Sequence, residues 1–103
     1  MNSIWEILVP TQTPAHVPIR TRQHREWDKR VRRIAGGLTV MQLACGQWVS
    51  GLGVLTTERM IPVRIACTEP QINEIADITA DFYEQDAVMF YQISDKVFIN
   101  KYR

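Results

Sequence analysis

The sequence predicts an α+β fold of the ferredoxin-like type, a four-stranded antiparallel sheet with two helices on one face. Two segments have the 3.6-residue periodicity of amphipathic helices, and short β-branched segments flank them in the order strand, helix, strand, strand, helix, strand. Right-handed crossovers then place both helices on the same side of the sheet. At 103 residues, the chain (1–103) is predicted to be a single domain.

The first strand is predicted over residues 4–9, which are apolar and β-rich and stop at Pro10. Pro14, Pro18 and several threonines then indicate a loop over residues 11–19. A loop of this length is unusual in so small a domain. It therefore favours a functional or interface role for this segment.

The first helix is predicted over residues 22–35. Trp27, Val31 and Ile34 fall on one face of a 3.6-residue period, as expected of a helix that packs on a sheet. The glycine pair that begins at Gly36 ends this helix, because glycine accepts the left-handed conformation of a C-terminal cap.

The second strand is predicted over residues 38–43, with a continuation through Trp48 and Val49 that would form a long hairpin with the third strand, residues 56–67. Alternation places four apolar side chains on one face of the third strand: Ile61, Val63, Ile65 and Cys67. Pro62 has no N–H to donate, so it predicts an edge position or a bulge.

Thr68 and Gln71 form a capping-box pattern that predicts the start of a second helix over residues 69–85. Its apolar stripe comprises Ile72, Ile75, Ala76, Phe82 and Tyr83. The fourth strand is predicted over residues 87–93. A short additional C-terminal strand over residues 97–99 is an optional element of this prediction.

The chain has 46% hydrophobic and 22% charged residues and a net charge of +1. This overall charge excludes the class of strongly basic nucleic-acid-binding proteins. The absence of a signal-peptide pattern and of a long apolar run predicts a cytoplasmic protein without a membrane partner. Two cysteines without a C-x-x-C pattern argue against a disulfide scaffold or a metal site. Cys67 is predicted to be a buried core thiol and Cys45 a more exposed one. No metal and no cofactor is predicted.

The two helices differ sharply in charge. The first carries a basic face made of Arg22, Arg25, Lys29, Arg32 and Arg33. It is interpreted as a solvated helix face, with an acidic protein partner or a nucleic acid as the alternatives. Glu26 and Arg30 have the spacing of a helical ion pair. The second helix carries acidic residues without lysine or arginine, which favours charge complementarity across the helix seam or between molecules over a metal site.

The sheet face opposite the helices has no cover in this fold. Both sets of alternating side chains in the first and fourth strands are too apolar for either to face only water. Large exposed apolar patches usually mark interfaces. A homodimer is therefore predicted, formed through this face or through an edge strand.

Catalytic motifs are absent from the sequence, so no catalytic residue is predicted. His16 and His24 have no carboxylate or nucleophile at motif spacing. There is no phosphate-binding loop, no H-E-x-x-H zinc motif and no G-x-S-x-G nucleophile motif.

A series of short elements over residues 25–89 resembles a family of small uncharacterised bacterial domains. They are the Trp27 helix, Gly37-Leu38-Thr39-Val40, Gly46-Gln47-Trp48, Glu58, an apolar strand, Tyr83, Gln85 and Ala87-Val88-Met89. The resemblance implies a ferredoxin-like fold and no established activity. Glu58 and Gln85 are the polar exceptions among these positions, and polar groups embedded in strands can mark a small pocket. A ligand site is therefore predicted at Trp48, Glu58, Arg59 and Gln85.

Together these patterns favour a non-enzymatic, homodimeric interaction module. One alternative is a small-ligand-binding protein, or an enzyme of the dimeric α+β barrel type that uses the sheet cavity. The other is a nucleic-acid-binding or inhibitor protein that acts through the basic face.

Overall fold

One antiparallel sheet and two helices make up the protein, which a computed structural model describes over residues 2–102. The elements are β1 (Ser3–Pro10), α1 (Thr21–Ala35), β2 (Thr39–Val40), β3 (Ala44–Val49), β4 (Leu55–Cys67), α2 (Glu69–Phe82) and β5 (Phe90–Ser94). The strand order is β2-β4-β1-β5, and β3 pairs with β4 beyond β2. This is the ferredoxin-like arrangement that the sequence predicts.

The hydrophobic core lies between one face of the sheet and both helices. Ile7 and Val9 of β1 are buried there with three side chains from β4. All five are at odd-numbered positions, so strand alternation points them to the same face of the sheet. The buried β4 residues are Val63, Ile65 and Cys67, and the helices contribute Trp27, Val31, Ile72 and Ile75. The prediction that both helices cover the same face is confirmed, so the opposite side, called here the open face, has no helix over it.

Both predicted helix caps are present. Gly36 adopts the left-handed conformation (φ 87°) at the end of α1, and its N–H donates to the carbonyl of Arg32 at 2.8 Å. At the start of α2, the Thr68 hydroxyl accepts from the Gln71 N–H, and the Gln71 side chain accepts from the Thr68 N–H. These local sequence signals therefore fix where the helices meet the sheet.

Hydrogen bonds, not ion pairs, join the two helices. Trp27 Nε1 donates to Thr79 Oγ1 at 3.0 Å, and Gln71 Nε2 donates to the carbonyl of Ile34 at 3.0 Å. Within residues 2–102, no salt bridge crosses the helix seam, so the charge complementarity predicted there is wrong. Arg30 does cross the seam, but its guanidinium carbon lies 5.0 Å from the centre of the Phe82 ring and so contacts an aromatic face rather than a carboxylate of α2. The predicted Glu26–Arg30 pair is present at 3.9 Å.

The predicted second strand is divided into β2 and β3, which makes five strands rather than four. Pro62 lies inside the central strand β4, paired with Leu8 of β1, so of the two predicted alternatives the edge position is wrong. The bulge is present on its other side, at the interruption between β2 and β3, where residues 41–43 stand opposite residues 61–62. There the N–H of Met41 donates to the carbonyl of Pro62 at 2.8 Å, but Pro62 has no N–H to return to the Met41 carbonyl, and the regular ladder of β2 stops at this point.

The C-terminal part of the chain is less regular than predicted. Helix α2 ends at Phe82, three residues early, and Glu84 follows with a φ of 54°. Strand β5 starts at Phe90 rather than at residue 87. Residues 97–99 form no strand, and Phe98 is 83% exposed. Neither helix within residues 2–102 combines the length and the apolar content needed to cross a membrane.

The outer half of β4 and all of β3 form a hairpin, called here the arm (residues 44–60). Its turn is closed by the N–H of Ser50, which donates to the carbonyl of Val54 at 2.9 Å. Strand β1 pairs with β4 only from Met60 onward, so residues 55–59 have a strand neighbour on one side alone. Four apolar side chains of the arm are at least 60% exposed: Val49, Leu52, Val54 and Leu55.

Candidate ligand-binding site

Two cavities meet beside the base of the arm. The first has a volume of about 490 Å³ and the second about 420 Å³. Glu58 and Gln85 line both of them, as do two prolines of the adjoining loop, Pro10 and Pro14. These volumes are in the range of small-molecule sites in proteins.

The first cavity lies between the loop that follows β1 and the unpaired edge of β4. The loop is held closed because the N–H of Thr13 donates to the carbonyl of Val17 at 2.8 Å, and His16 accommodates the turn with a φ of 62°. The Thr11 hydroxyl donates to the carbonyl of Arg59 at 3.0 Å, which ties this loop to β4. The lining is rich in hydroxyl and thiol groups: Thr11, Thr13, Cys45, Thr56 and Thr57.

The second cavity lies on the open face and is more apolar. Leu8, Met60, Val88 and Met89 line it, together with Trp48 on the arm. Trp48 and Gly46 are two residues apart on β3 and so share a face. A Cβ placed on Gly46 would lie 3.1 Å from Cζ2 of Trp48, so the indole ring lies directly over this glycine.

Glu58 is the carboxylate shared by the two cavities. Strand alternation turns it toward the open face, while its neighbour Arg59 points to the other side. The salt bridges found within residues 2–102 are Arg30–Glu26 and Arg64–Glu6, so Glu58 has no ion-pair partner in this part of the chain. Glu58 is therefore an exposed carboxylate that lines both cavities without an ion pair, and Arg59 is the cationic residue nearest to it in the lining of the first cavity.

The structure brings together the four residues that the sequence predicts as a ligand site. Glu58 and Gln85 line both cavities, Arg59 lines the first and Trp48 the second. Their role in binding stays a prediction. Sequence reasoning missed the contribution of the threonines and of Met60, because nothing local shows that the loop after β1 folds back against β4.

A buried carboxylate on the open face was also missed. Glu6 is 8% exposed, accepts from Arg64 Nε at 3.0 Å and accepts a second hydrogen bond from the Tyr91 hydroxyl. Burial raises the pKa of Glu6, but the hydrogen bonds from Tyr91 and Arg64 outweigh it, so the pKa lies below its ordinary value. The hydrogen bond to Glu6 raises the pKa of Tyr91. The signal available in the sequence was one acidic residue inside the apolar first strand.

The two histidines have different surroundings. His16 lines the first cavity. His24 lies at the helix seam, where Nδ1 is 2.7 Å from the Tyr83 hydroxyl, and neither cavity reaches it. Burial lowers the pKa of His24, and the charge of Asp28 opposes that shift. Burial and the Asp28 charge both raise the pKa of Tyr83. His24 is thus part of the packing between the helices.

The cysteines are placed as predicted. Cys67 is fully buried and burial raises its pKa to about 11, whereas Cys45 is exposed beside the first cavity. The basic face of α1 is also exposed: Arg22, Arg25, Lys29, Arg32 and Arg33. Its use against an acidic protein or a nucleic acid stays a prediction. No group of three or more His, Cys, Asp or Glu side chains is arranged for a metal ion within residues 2–102.

The fold is ferredoxin-like. The protein is similar to the divalent cation tolerance protein Cut A1 from Thermus thermophilus, with a TM-score of 0.70 and 10% identity over 96% of this chain and 88% of that chain. The periplasmic divalent cation tolerance protein CutA from Archaeoglobus fulgidus gives a TM-score of 0.69 and 10% identity over the same shares. A phage SAM lyase in complex with S-methyl-5'-thioadenosine gives a TM-score of 0.67 and 12% identity over 95% of this chain and 93% of that chain.

Compared by sequence, the chain matches no protein-family model and no curated protein. The resemblance to a family of small bacterial domains therefore stays a prediction. At 10–12% identity, the structural similarities establish a small α+β protein with this fold and go no further.

Proposed function

We propose that the protein is a homo-oligomer that binds a small sulfonium nucleoside of the S-adenosylmethionine (SAM) type in the two cavities that meet at Glu58. The observation that carries this proposal is the position of Glu58, a carboxylate that lines both cavities and forms no ion pair within residues 2–102. Such a group favours a ligand that brings its own positive charge.

The lining of the cavities matches the remaining parts of such a ligand. Threonine hydroxyls and the Gln85 amide offer hydrogen bonds to a ribose and an adenine ring, and the apolar second cavity offers space for the alkyl groups on sulfur. S-Methyl-5'-thioadenosine, which the structurally similar phage protein binds, is the neutral thioether of the same chemical class.

Self-association is supported by the arm. It carries exposed apolar side chains, and it has two strand edges without a strand neighbour, the outer edge of β3 and residues 55–58 of β4. Exposed edges of this kind readily pair with another strand. A second copy of the arm offers the same two features, an apolar surface and a strand edge, and can therefore pair with the first. A dimer is the smallest assembly that we propose.

Titration calorimetry with SAM tests the ligand. We expect saturable binding, and an affinity about two- to fivefold lower in Glu58→Gln, since Glu58 is exposed and ion pairs of exposed carboxylates contribute about 0.2–1 kcal/mol. Glu74→Gln removes an exposed carboxylate on α2 and serves as the matched control with unchanged affinity. If SAM does not bind, or if Glu58→Gln binds it as tightly as the wild type does, the proposed ligand is wrong.

Light scattering tests the assembly. We expect a mass of at least twice the 11.9 kDa of one chain, and a shift toward the monomer in the double variant Val49→Glu, Leu52→Glu. Val17→Glu alters an equally apolar residue that is 56% exposed outside the arm and is the control. A wild-type protein that stays monomeric at high concentration contradicts the proposal.

Binding without catalysis agrees with the sequence analysis, but cleavage of the sulfonium is a second candidate function. The observation that favours it is the similarity to the phage SAM lyase, which covers 93% of that chain. In such a step, the bond from sulfur to the side-chain carbon of the methionine part breaks and its electron pair returns to sulfur. The carboxylate oxygen of the same substrate bonds to that carbon and closes a lactone, so no further reactant is needed.

Mass spectrometry separates the two candidates. Formation of S-methyl-5'-thioadenosine and the lactone from SAM, faster than in a solution without protein, supports cleavage. The same rate with and without protein, together with saturable binding, supports a non-enzymatic binding module. Glu58→Gln is expected to lose the acceleration if cleavage occurs, whereas Glu74→Gln keeps it.

We also propose a cytoplasmic location. Cys45 and Cys67 are both unpaired, and reducing compartments maintain thiols in this state. Recovery of the protein in the secreted or periplasmic fraction of its host cell would contradict this proposal.

A further inference from the structure

Gly46, Trp48 and Glu58 form a corner on the open face of the arm. Gly46 is directly paired with Glu58 across the β3–β4 ladder, so the two positions face the same side. The Trp48 ring occupies the space that a side chain at Gly46 would take, with Cζ2, Cε2 and Nε1 all within 3.4 Å of such a Cβ. Cβ atoms of paired residues lie about 5 Å apart, which puts the indole beside the base of the Glu58 side chain, and both Trp48 and Glu58 line the second cavity.

We propose that Trp48 sets the charge preference of the cleft by presenting its indole ring to a permanently charged onium centre beside Glu58. This inference rests on the proposed ligand site and adds the residue that distinguishes a sulfonium ion from a neutral thioether. Trp48 is 38% exposed, so a large part of its ring is available to a ligand.

The chemistry of the corner selects against ordinary cations. A carboxylate alone attracts any positive group, but an ammonium or a metal ion keeps a firmly held water shell that an apolar wall does not replace. A sulfonium carries three carbon substituents and no N–H or O–H donor, so it loses little on contact with Trp48, Met60 and Met89. The negative face of an indole ring attracts such an ion, whereas a neutral thioether gains dispersion contacts alone.

Two nucleosides that differ at the sulfur test the proposal: SAM and its neutral thioether analogue S-adenosylhomocysteine. We expect the wild type to prefer SAM, and Trp48→Leu to weaken SAM binding about three- to thirtyfold with little effect on the analogue. Gly46→Ala should act in the same direction, because its methyl group displaces the indole ring. Gly51→Ala is the matched control on the arm, since a Cβ there meets no atom within 4 Å.

Titration with trimethylsulfonium, followed by NMR of the indole N–H groups, tests the corner without a nucleoside. The Trp48 signal, assigned by its loss in Trp48→Leu, is expected to shift. The signals of Trp5 and Trp27 should not, because both indoles donate to protein acceptors away from the arm. A shift confined to Trp48 supports the proposal even if SAM does not bind, in which case only the nucleoside ligand is wrong. The absence of a shift, or a preference for SAM that survives in Trp48→Leu, overturns the proposal while leaving the ligand site standing.

Discussion

Replacement of Glu6 by glutamine is predicted to destabilise the protein by about 2 kcal/mol at pH 7. The carboxylate side chain is 11% exposed and accepts from both Arg64 and Tyr91. Glutamine keeps one acceptor oxygen but turns an NH₂ group toward the other donor, so one charge-assisted hydrogen bond is lost. Such a bond contributes about 1.5–3 kcal/mol, and the low half applies because the Arg64 side chain is 44% exposed and can turn to water.

The stability lost in Glu6→Gln should be smaller at low pH than at neutral pH. The pKa of Glu6 is lower in the folded protein than the ordinary value of 4.5, so the folded state favours the ionised form. Its contribution is fully present above about pH 4.5 and disappears as the pH falls through the lower pKa of the folded state. The stability difference between wild type and Glu6→Gln should therefore shrink in acid.

Urea unfolding at pH 7 and pH 3, at two protein concentrations to separate any contribution of assembly, measures the effect. Glu58→Gln is the matched control, since Glu58 faces the same side of the sheet without an ion pair in residues 2–102 and should change stability by no more than about 0.5 kcal/mol. Equal stability of Glu6→Gln and wild type at pH 7, or a difference that does not change with pH, would refute the reasoning.

Three further predictions concern the core, a cap and the thiols. Trp27→Phe should cost about 1–3 kcal/mol in urea unfolding, because the buried Thr79 hydroxyl loses its donor; an unchanged midpoint would show that this bond contributes nothing. Gly36→Ala should lower stability by about 1 kcal/mol, since φ is 87° there, and a neutral result would contradict the conformation described. A thiol reagent should modify Cys45 in the native protein and Cys67 only after unfolding, so rapid reaction of both would contradict the burial of Cys67.

The elements that the sequence predicted well are those specified by their own residues. Alternation in the third predicted strand identified Val63, Ile65 and Cys67 as buried, and the Thr68 and Gly36 caps are read from adjacent residues. The break between β2 and β3 was missed, because it depends on what lies across the ladder. Pro62 on the neighbouring strand offers no N–H there, and nothing within residues 38–49 encodes that.

The candidate site was predicted only in part for the same reason. Glu58 and Gln85 were selected as polar residues among apolar ones, a property of each position, whereas their proximity depends on how β4 and the end of α2 come together. The threonines at residues 11 and 13 look like ordinary loop residues in the sequence. They reach the cleft because the Thr11 hydroxyl ties the loop to Arg59, a contact between residues 48 positions apart.

The uninterrupted course of β4 has a consequence for how this sequence can vary. Deletion or insertion of a single residue between Glu58 and Ile61 would leave the inner end anchored by Val63 and Ile65 and would exchange the directions of the outer side chains. An insertion after Arg59 would place arginine where the carboxylate stands now, and a deletion would place Thr57 there. The length of this short segment is therefore more constrained than the identity of its residues, and related sequences should show substitutions there far more readily than gaps.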